Sequence, residues 1–387
     1  MHGRRHPTRS EASTPRKGRP ILSLAFEASR WTQALGWAAG TALASFREKA
    51  PVAPRLDPSA AAPSDSPILI FGAPRSGTSW LGKIFDSHPD TLYRHEPDAV
   101  LEDEGLPWIC PEDATPGLAP MAASYLRRMG RISTLKTVGP GPSFAKSYRG
   151  ALGRRLRDGT AHALRVLAAT GLDRRWLDRI GVPDLLAGDP RAIRLVVKSV
   201  SSHGRIAALA AGAPDARLVL ILRDPWGQVA SVLRGTARGK FLSPLELAWI
   251  AGTTEGRRHG LTTAGLGALP PVEQLTWNWV VCNERMLADL AQASAARVIR
   301  YDTLCAAPMA QARALFDFAG LAWQPQTASF IARSTTHRGP ARYYQVFRDA
   351  RAAAESWRRE MPRDDQARIA AILRRSALAS ICPDLRD

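Results

Sequence analysis

Pro67-Ile-Leu-Ile-Phe-Gly-Ala-Pro-Arg-Ser-Gly-Thr-Ser-Trp80 is the stretch that decides the fold. A short apolar run ends at Gly72, a tight Ala-Pro-Arg-Ser-Gly77 loop follows, and a helical pattern opens at Thr78, so the order is buried strand, loop, helix. From Gly72 to Ser79 the glycine spacing is that of a Walker A loop, but Thr78 stands where that loop has lysine. Backbone N–H groups of a loop entering a helix attract anionic oxygens whatever the nucleotide, because the orphan donors and the helix dipole both favour negative charge. Arg75 can supply the missing cation as a planar, two-pronged donor. Glycine-containing strand-to-helix turns are common, and Trp80 suits a core as well as a ligand, so the loop needs support from elsewhere in the chain.

Working outward, two further apolar runs read as buried strands, Ile193–Lys198 and Arg217–Leu222, and a fourth run, Ala296–Tyr301, precedes a helix. Helical patterns over residues 203–212 and 308–319 alternate with them. The expected fold is α/β, a three-layer sandwich with a mostly parallel sheet, ligand at the carboxyl ends of the strands and a P-loop-like binding loop. Residues 103–190 fit this rhythm poorly and carry Pro and Gly clusters and basic helices, so an insertion over the active site is expected within a domain spanning 66–387. Residues 1–20 read as a disordered basic arm and residues 21–65 as an amphipathic helix followed by a Pro/Ala linker. Glu27, Arg30 and Gln33 interrupt the helix, which argues against a membrane span, and no signal-peptide cleavage pattern follows it. This basic N-terminal segment is a candidate for peripheral contact with an anionic membrane, although packing on its own domain is the commoner use of such a pattern. No internal repeat is present.

The net charge of +18, from 53 Lys and Arg against 35 Asp and Glu, favours a polyanionic partner. No zinc-finger, homeodomain or RNA-recognition pattern accompanies it, so no nucleic acid is expected. Cys110, Cys282, Cys305 and Cys382 stand far apart with neither metal nor redox spacing, as suits thiols in a reducing, cytoplasmic setting with no metal site.

Ala73-Pro-Arg-Ser-Gly-Thr-Ser-Trp80 resembles the 5'-phosphosulfate loop of sulfotransferases that use 3'-phosphoadenosine-5'-phosphosulfate (PAPS). The resemblance implies that Arg75, Ser76, Gly77, Thr78 and Ser79 hold the phosphosulfate and that Trp80 stacks on adenine. Leu218-Val-Leu-Ile-Leu-Arg223 and the following helix with Ser231 resemble that family's 3'-phosphate motif, an arginine closing a strand and a serine two helical turns on. Arg300–Pro308 resembles a structural strand-to-helix segment of Golgi-type and bacterial members. Arg338-Gly339 and Trp357-Arg358 resemble the C-terminal loop over the 3'-phosphate, which makes Arg338 a candidate ligand.

Sulfuryl transfer needs a base, cations for the leaving group and exclusion of water. No metal is required in principle, because the transferred group carries one negative charge. Glu96, in Tyr93-Arg-His-Glu-Pro97, resembles the Glu-Pro segment of carbohydrate sulfotransferases and is the expected base, its pKa raised toward neutrality by a closed site; His95 is its rival. Cytosolic members carry lysine, one residue, then a catalytic histidine. Here Lys198 is followed by Ser199 and Val200, so the lysine remains, to stabilise the leaving oxygen, and the histidine does not. The expected activity is transfer from PAPS to a hydroxyl or amine, with a carbohydrate or glycoconjugate as acceptor. The rivals are an ATP-dependent P-loop kinase and a non-catalytic binder of anionic glycans.

Overall fold

The computed structural model describes residues 66–101, 106–111, 115–172, 174–185, 192–239, 246–335, 350–382 and 385. The expected arm, amphipathic helix and linker (1–65) and the candidate Arg338 lie outside the described residues. Five strands, β1 (Ile68–Phe71), β2 (Thr91–His95), β3 (Arg194–Lys198), β4 (Arg217–Leu222) and β5 (Ala296–Arg300), form one sheet in the order β2-β3-β1-β4-β5. All its pairings are parallel. The longer helices are α1 (Thr78–Asp86), α2 (Thr115–Arg131), α3 (Ala151–Ala169), α4 (Ile206–Gly212), α5 (Pro225–Ala237), α6 (Pro271–Leu290), α7 (Pro308–Ala319), α8 (Pro325–Thr335) and α9 (Arg363–Leu373).

Alternation along the strands builds a core on each face, as a buried parallel sheet requires. Ile68, Ile70, Val219 and Ile221 point to one side, where α1, α7 and α8 cover them. Leu69, Phe71, Leu218 and Leu220 point to the other, beneath α2, α4 and α6. A Cβ at Gly212 would lie 2.6 Å from the Ala123 nitrogen, so glycine lets α4 run against the backbone of α2. The segment 103–190 therefore supplies, through α2, part of the layer over one sheet face. Its helix α3 packs on a separate small cluster of Val138, Ala161, Leu164, Leu177 and Val182.

The edge strand β2 is absent from the sequence reading, because Thr-Leu-Tyr-Arg-His lacks an apolar run, yet all five residues are buried. Tertiary pairing makes that burial tolerable. Arg94 donates to the Asp184 carboxylate at 2.8 Å and to the Gly130 carbonyl at 2.9 Å. Asp184 also receives Arg149 and, at 3.2 Å, Arg157. Burial would raise the Asp184 carboxyl, but the three guanidiniums hold it well below the usual carboxylate range.

Removing one partner of a buried ion network leaves the others uncompensated. Asp184→Ala should cost about 3–5 kcal/mol, seen as a lowered Tm at neutral pH. Because the folded carboxyl sits below its unfolded value, this contribution is present at neutral pH and is lost as pH falls below about 4. The Tm gap between wild type and variant should therefore narrow in acid, and a gap independent of pH would contradict the assignment.

Candidate functional site

The chain leaves β1 at Phe71 and reaches α1 through the Gly72–Gly77 loop, whose N-cap Gly77 has a left-handed backbone (φ 93) and no side-chain cap. Helix α1 has no acidic residue in its first turn, so its N–H groups and dipole face outward with no carboxylate of its own to neutralise them. A Cβ at Gly77 would run into the Tyr301 ring, and one at Gly72 would lie 2.7 Å from the Ile221 carbonyl. The Ser76 hydroxyl is fully buried with no hydrogen-bond partner among the described residues, which suits a loop shaped for an absent anion.

Since β4 lies beside β1, residues far apart in sequence meet at this loop. Arg75 Nε donates to Ser231 Oγ on α5 at 3.1 Å, and Arg223 Nη1 donates to the Arg75 carbonyl at 3.0 Å. Arg223 also lies over the Tyr301 ring at 4.8 Å. Gln228, which the sequence did not single out, donates to the Pro74 carbonyl at 2.8 Å. Three residues of the two expected phosphate motifs, Arg75, Arg223 and Ser231, are thus in direct contact, and this donor set fits a ligand bearing phosphate-like groups. Trp80 has another place: it is 4% exposed, in the core, and its indole N–H donates to Ser334 Oγ at 3.0 Å. Trp357, from the weaker C-terminal match, stacks on Trp226 with ring centroids 5.4 Å apart.

On the other side of β1, β3 brings Lys198 level with Ile70 and β2 brings His95 level with Lys198. Lys198 donates to Glu96 Oε1 and Lys136 donates to Glu96 Oε2 at 2.6 Å, so two ammoniums grip one carboxylate. Lys136 comes from the 103–190 segment, inside the Thr134–Thr137 capping box, which gives no hint of this contact. Among the described residues the two non-glycine positions with left-handed backbone are Arg75 (φ 71) and Glu96 (φ 45), one in each half of the site. Such conformations cost energy and persist where surrounding structure fixes them.

The electrostatics differ from the expected raised pKa at Glu96. Burial would push the carboxyl up, but the ammoniums of Lys198 and Lys136 hold it well below the usual carboxylate range. Burial lowers the Lys198 ammonium, with Glu96 opposing. His95 is pushed well below its ordinary value by burial and then by Lys198, so its ring is neutral at pH 7. Tyr93 Oη lies 2.8 Å from His95 Nδ1, and burial raises the phenol so that it keeps its proton. With Tyr93 donating, the ring proton is assigned to Nε2, 3.6 Å from Glu96 Oε1 and beyond hydrogen-bond range.

A third group lies beneath these residues. Asp98 is buried and its Oδ2 accepts from Ser199 and, at 2.8 Å, from Ser202. Its Oδ1 has no partner among the described residues, and burial raises its pKa against the two serine bonds. Asp98 thereby fixes the turn that follows Lys198. The sequence showed Ser199 only as the residue after the lysine and gave no sign of a link to Asp98. His203, at the far end of that turn, stacks edge-on against Trp249 at 4.6 Å, and burial lowers its pKa to about 4.

Comparison with known proteins places this geometry in context. The model of the Sulfotransferase family matches residues 67–325. Human carbohydrate sulfotransferase 5 is 21% identical over 322 residues, covering 76% of this chain and 72% of that protein. The sulfotransferase domain from the curacin biosynthetic pathway is 17% identical, with a TM-score of 0.39, covering 80% of this chain and 97% of that one. Sulfotransferase STF1 from Mycobacterium tuberculosis H37Rv is 17% identical, with a TM-score of 0.35, covering 70% and 72%.

The loop geometry predicts that Gly77→Ala loses roughly 1–3 kcal/mol, from positive-φ strain and collision with Tyr301. Gly117→Ala, where a Cβ meets nothing within 4 Å, serves as the control. Thermal unfolding of the two variants should separate them, and equal Tm values would show that the loop tolerates a side chain.

Proposed function

The chain belongs to the sulfotransferase family, and from that premise we propose that it transfers a sulfuryl group from PAPS to an acceptor hydroxyl of a carbohydrate or glycoconjugate. The observation that carries this reading is the meeting of Arg75, in the loop after β1, with Arg223 and Ser231 from beyond β4, flanked by a carboxylate held between two lysines. The arginines suit a nucleotide with anionic groups at both ends, and the lysine-carboxylate cluster suits an acceptor that must lose a proton near a leaving oxygen. The carbohydrate acceptor is supported by the likeness to a carbohydrate sulfotransferase. A kinase reading lacks the loop lysine, since Thr78 stands at that position.

In this reading the α1 N-terminus, Arg75, Ser76, Thr78 and Ser79 hold the 5'-phosphosulfate, while Arg223 and Ser231 hold the 3'-phosphate. The acceptor oxygen bonds to sulfur as the bond from sulfur to the 5'-phosphate oxygen breaks. The acceptor proton passes to Glu96, and 3',5'-adenosine bisphosphate leaves. Lys198 stabilises the bridging oxygen as charge grows there. One contact couples the two roles: as Lys198 turns from Glu96 to the leaving oxygen, Glu96 loses a cation and becomes a stronger base when the proton has to be taken. His95 stays neutral beside Glu96, held by Tyr93, and Lys136 keeps the carboxylate oriented.

Transfer of radiolabelled sulfate from PAPS to a panel of glycans, lipids and phenols tests the proposal directly; no transfer to any of them would remove it. Adenosine 3',5'-bisphosphate at 100 times its Kd should stabilise the protein by roughly 2.7 kcal/mol without added metal. Arg223→Ala should weaken that binding by on the order of 2 kcal/mol, with little change in turnover at saturation. Stabilisation by ATP with magnesium and not by the bisphosphate would favour the kinase.

Glu96→Gln should lower turnover about a hundredfold to ten-thousandfold while bisphosphate affinity holds. Lys136→Met removes one cation from the carboxylate and so raises its pKa, which should shift the acid limb of the kcat/KM profile to higher pH. Near-normal turnover in Glu96→Gln with loss in His95→Asn would transfer the base to His95.

A further inference from the structure

Among the described residues, seven of the eleven large hydrophobic side chains that stand exposed fall between Leu152 and Leu185, a concentration that scattered surface residues do not produce. Helix α3 buries Gly153, Ala161 and Leu164 on one face. About a third of a turn away, Leu152, Leu156, Ala163, Val166 and Leu167 recur at helical spacing along a second, solvent-facing stripe. Leu152 is 69% exposed and Val166 51%, so among the described residues nothing covers the stripe. From Leu152 to Leu167 the stripe is about 22 Å long on a helix of nineteen residues. Leu185 extends it at the N-terminal end, its Cβ lying 3.5 Å from where a Cβ on Gly153 would stand.

The charges beside the stripe identify what would cover it. Arg155 is exposed at its edge, Arg154 and Arg165 stand exposed farther round the helix, and between Arg149 and Arg179 the chain carries eight arginines against three aspartates, Arg149 and Arg157 being turned to Asp184. We propose that α3 docks the protein on an anionic lipid surface, with its apolar stripe at the headgroup boundary and its arginines against lipid phosphates. An apolar face bordered by cations is the pattern of a helix that lies in a membrane interface, and its arginines keep it from spanning the bilayer. A second copy of this chain fits less well, since two stripes face to face would bring the same arginine flanks together on proteins that each carry +18. Membrane contact thus falls on the 103–190 segment, which carries Lys136 of the candidate site, and does not depend on the N-terminal arm.

The test is flotation of the full chain with phosphatidylcholine vesicles, with and without phosphatidylglycerol, at low and high salt. Wild type should float with the anionic vesicles only, and less so as salt rises. Leu152→Glu with Val166→Glu, both on exposed positions, should keep the wild-type Tm and lower the partition coefficient at least tenfold, by roughly the transfer energy of two buried aliphatic side chains. Arg155→Gln, at the edge of the stripe, should lower it about fivefold, and Arg154→Gln, on the far side of the helix, by less. The proposal is overturned by failure of wild type to float. It is also overturned if the double glutamate variant floats undiminished, which would assign binding to the N-terminal segment. Sedimentation of wild type as a dimer that the double variant converts to monomer would mean that a second copy covers the stripe, and likewise overturns it.

Discussion

The position of β1 between β3 and β4 is the constraint on which the rest of the structure depends. Parallel pairing on both sides sends all three strands out of the sheet at the same edge, so the loop after β1 has Lys198 on one flank and Arg223 on the other. Neither residue is near the loop in sequence. With an antiparallel partner on either side, the corresponding charge would leave from the opposite edge. The two-sided core, Ile68 and Ile70 against one helical layer and Leu69 and Phe71 against the other, keeps that register in place, because a shift by one residue would exchange the faces.

Charge burial is the second organising feature, and it is solved differently in different places. Around Asp184, three guanidiniums surround one carboxylate, and this holds the edge strand and α3's neighbourhood together. At Glu96, two lysines bracket the carboxylate beside a neutral histidine. The first network is closed by ions that have no further task. In the second, Lys136 is part-exposed while Lys198 is buried. A buried ion pair is weak support for stability but apt for a site in which charges must be exchanged.

The segment 103–190 serves both ends of this arrangement. Through α2 it closes one sheet face against α4, and through Lys136 it reaches Glu96. Its helix α3 faces outward with an apolar stripe and an arginine flank. One stretch of chain therefore links the core, the candidate site and the surface at which a membrane is proposed to bind.

Much of this was legible in the sequence, and the limits have a physical origin. The apolar runs at 68–71, 194–198 and 217–222 announced three strands, because burial on both faces demands continuous hydrophobicity; the run at 296–300 announced the edge strand β5, whose Arg297 and Val298 are exposed; and the Gly72–Gly77 spacing announced the loop because left-handed backbone and close approach to Tyr301 require glycine. Chemistry of that kind is local and is written in neighbouring residues. The sequence did not reveal β2, whose Arg94 is made acceptable by Asp184, ninety residues away. Nor did it reveal the low pKa of Glu96 or the role of Asp98 beneath Ser199 and Ser202, and it left Trp80 open between core and ligand, where the structure puts it in the core. A protonation state or a burial depends on what stands within a few ångströms in space, and those neighbours come from strands and loops that only the folded sheet brings together.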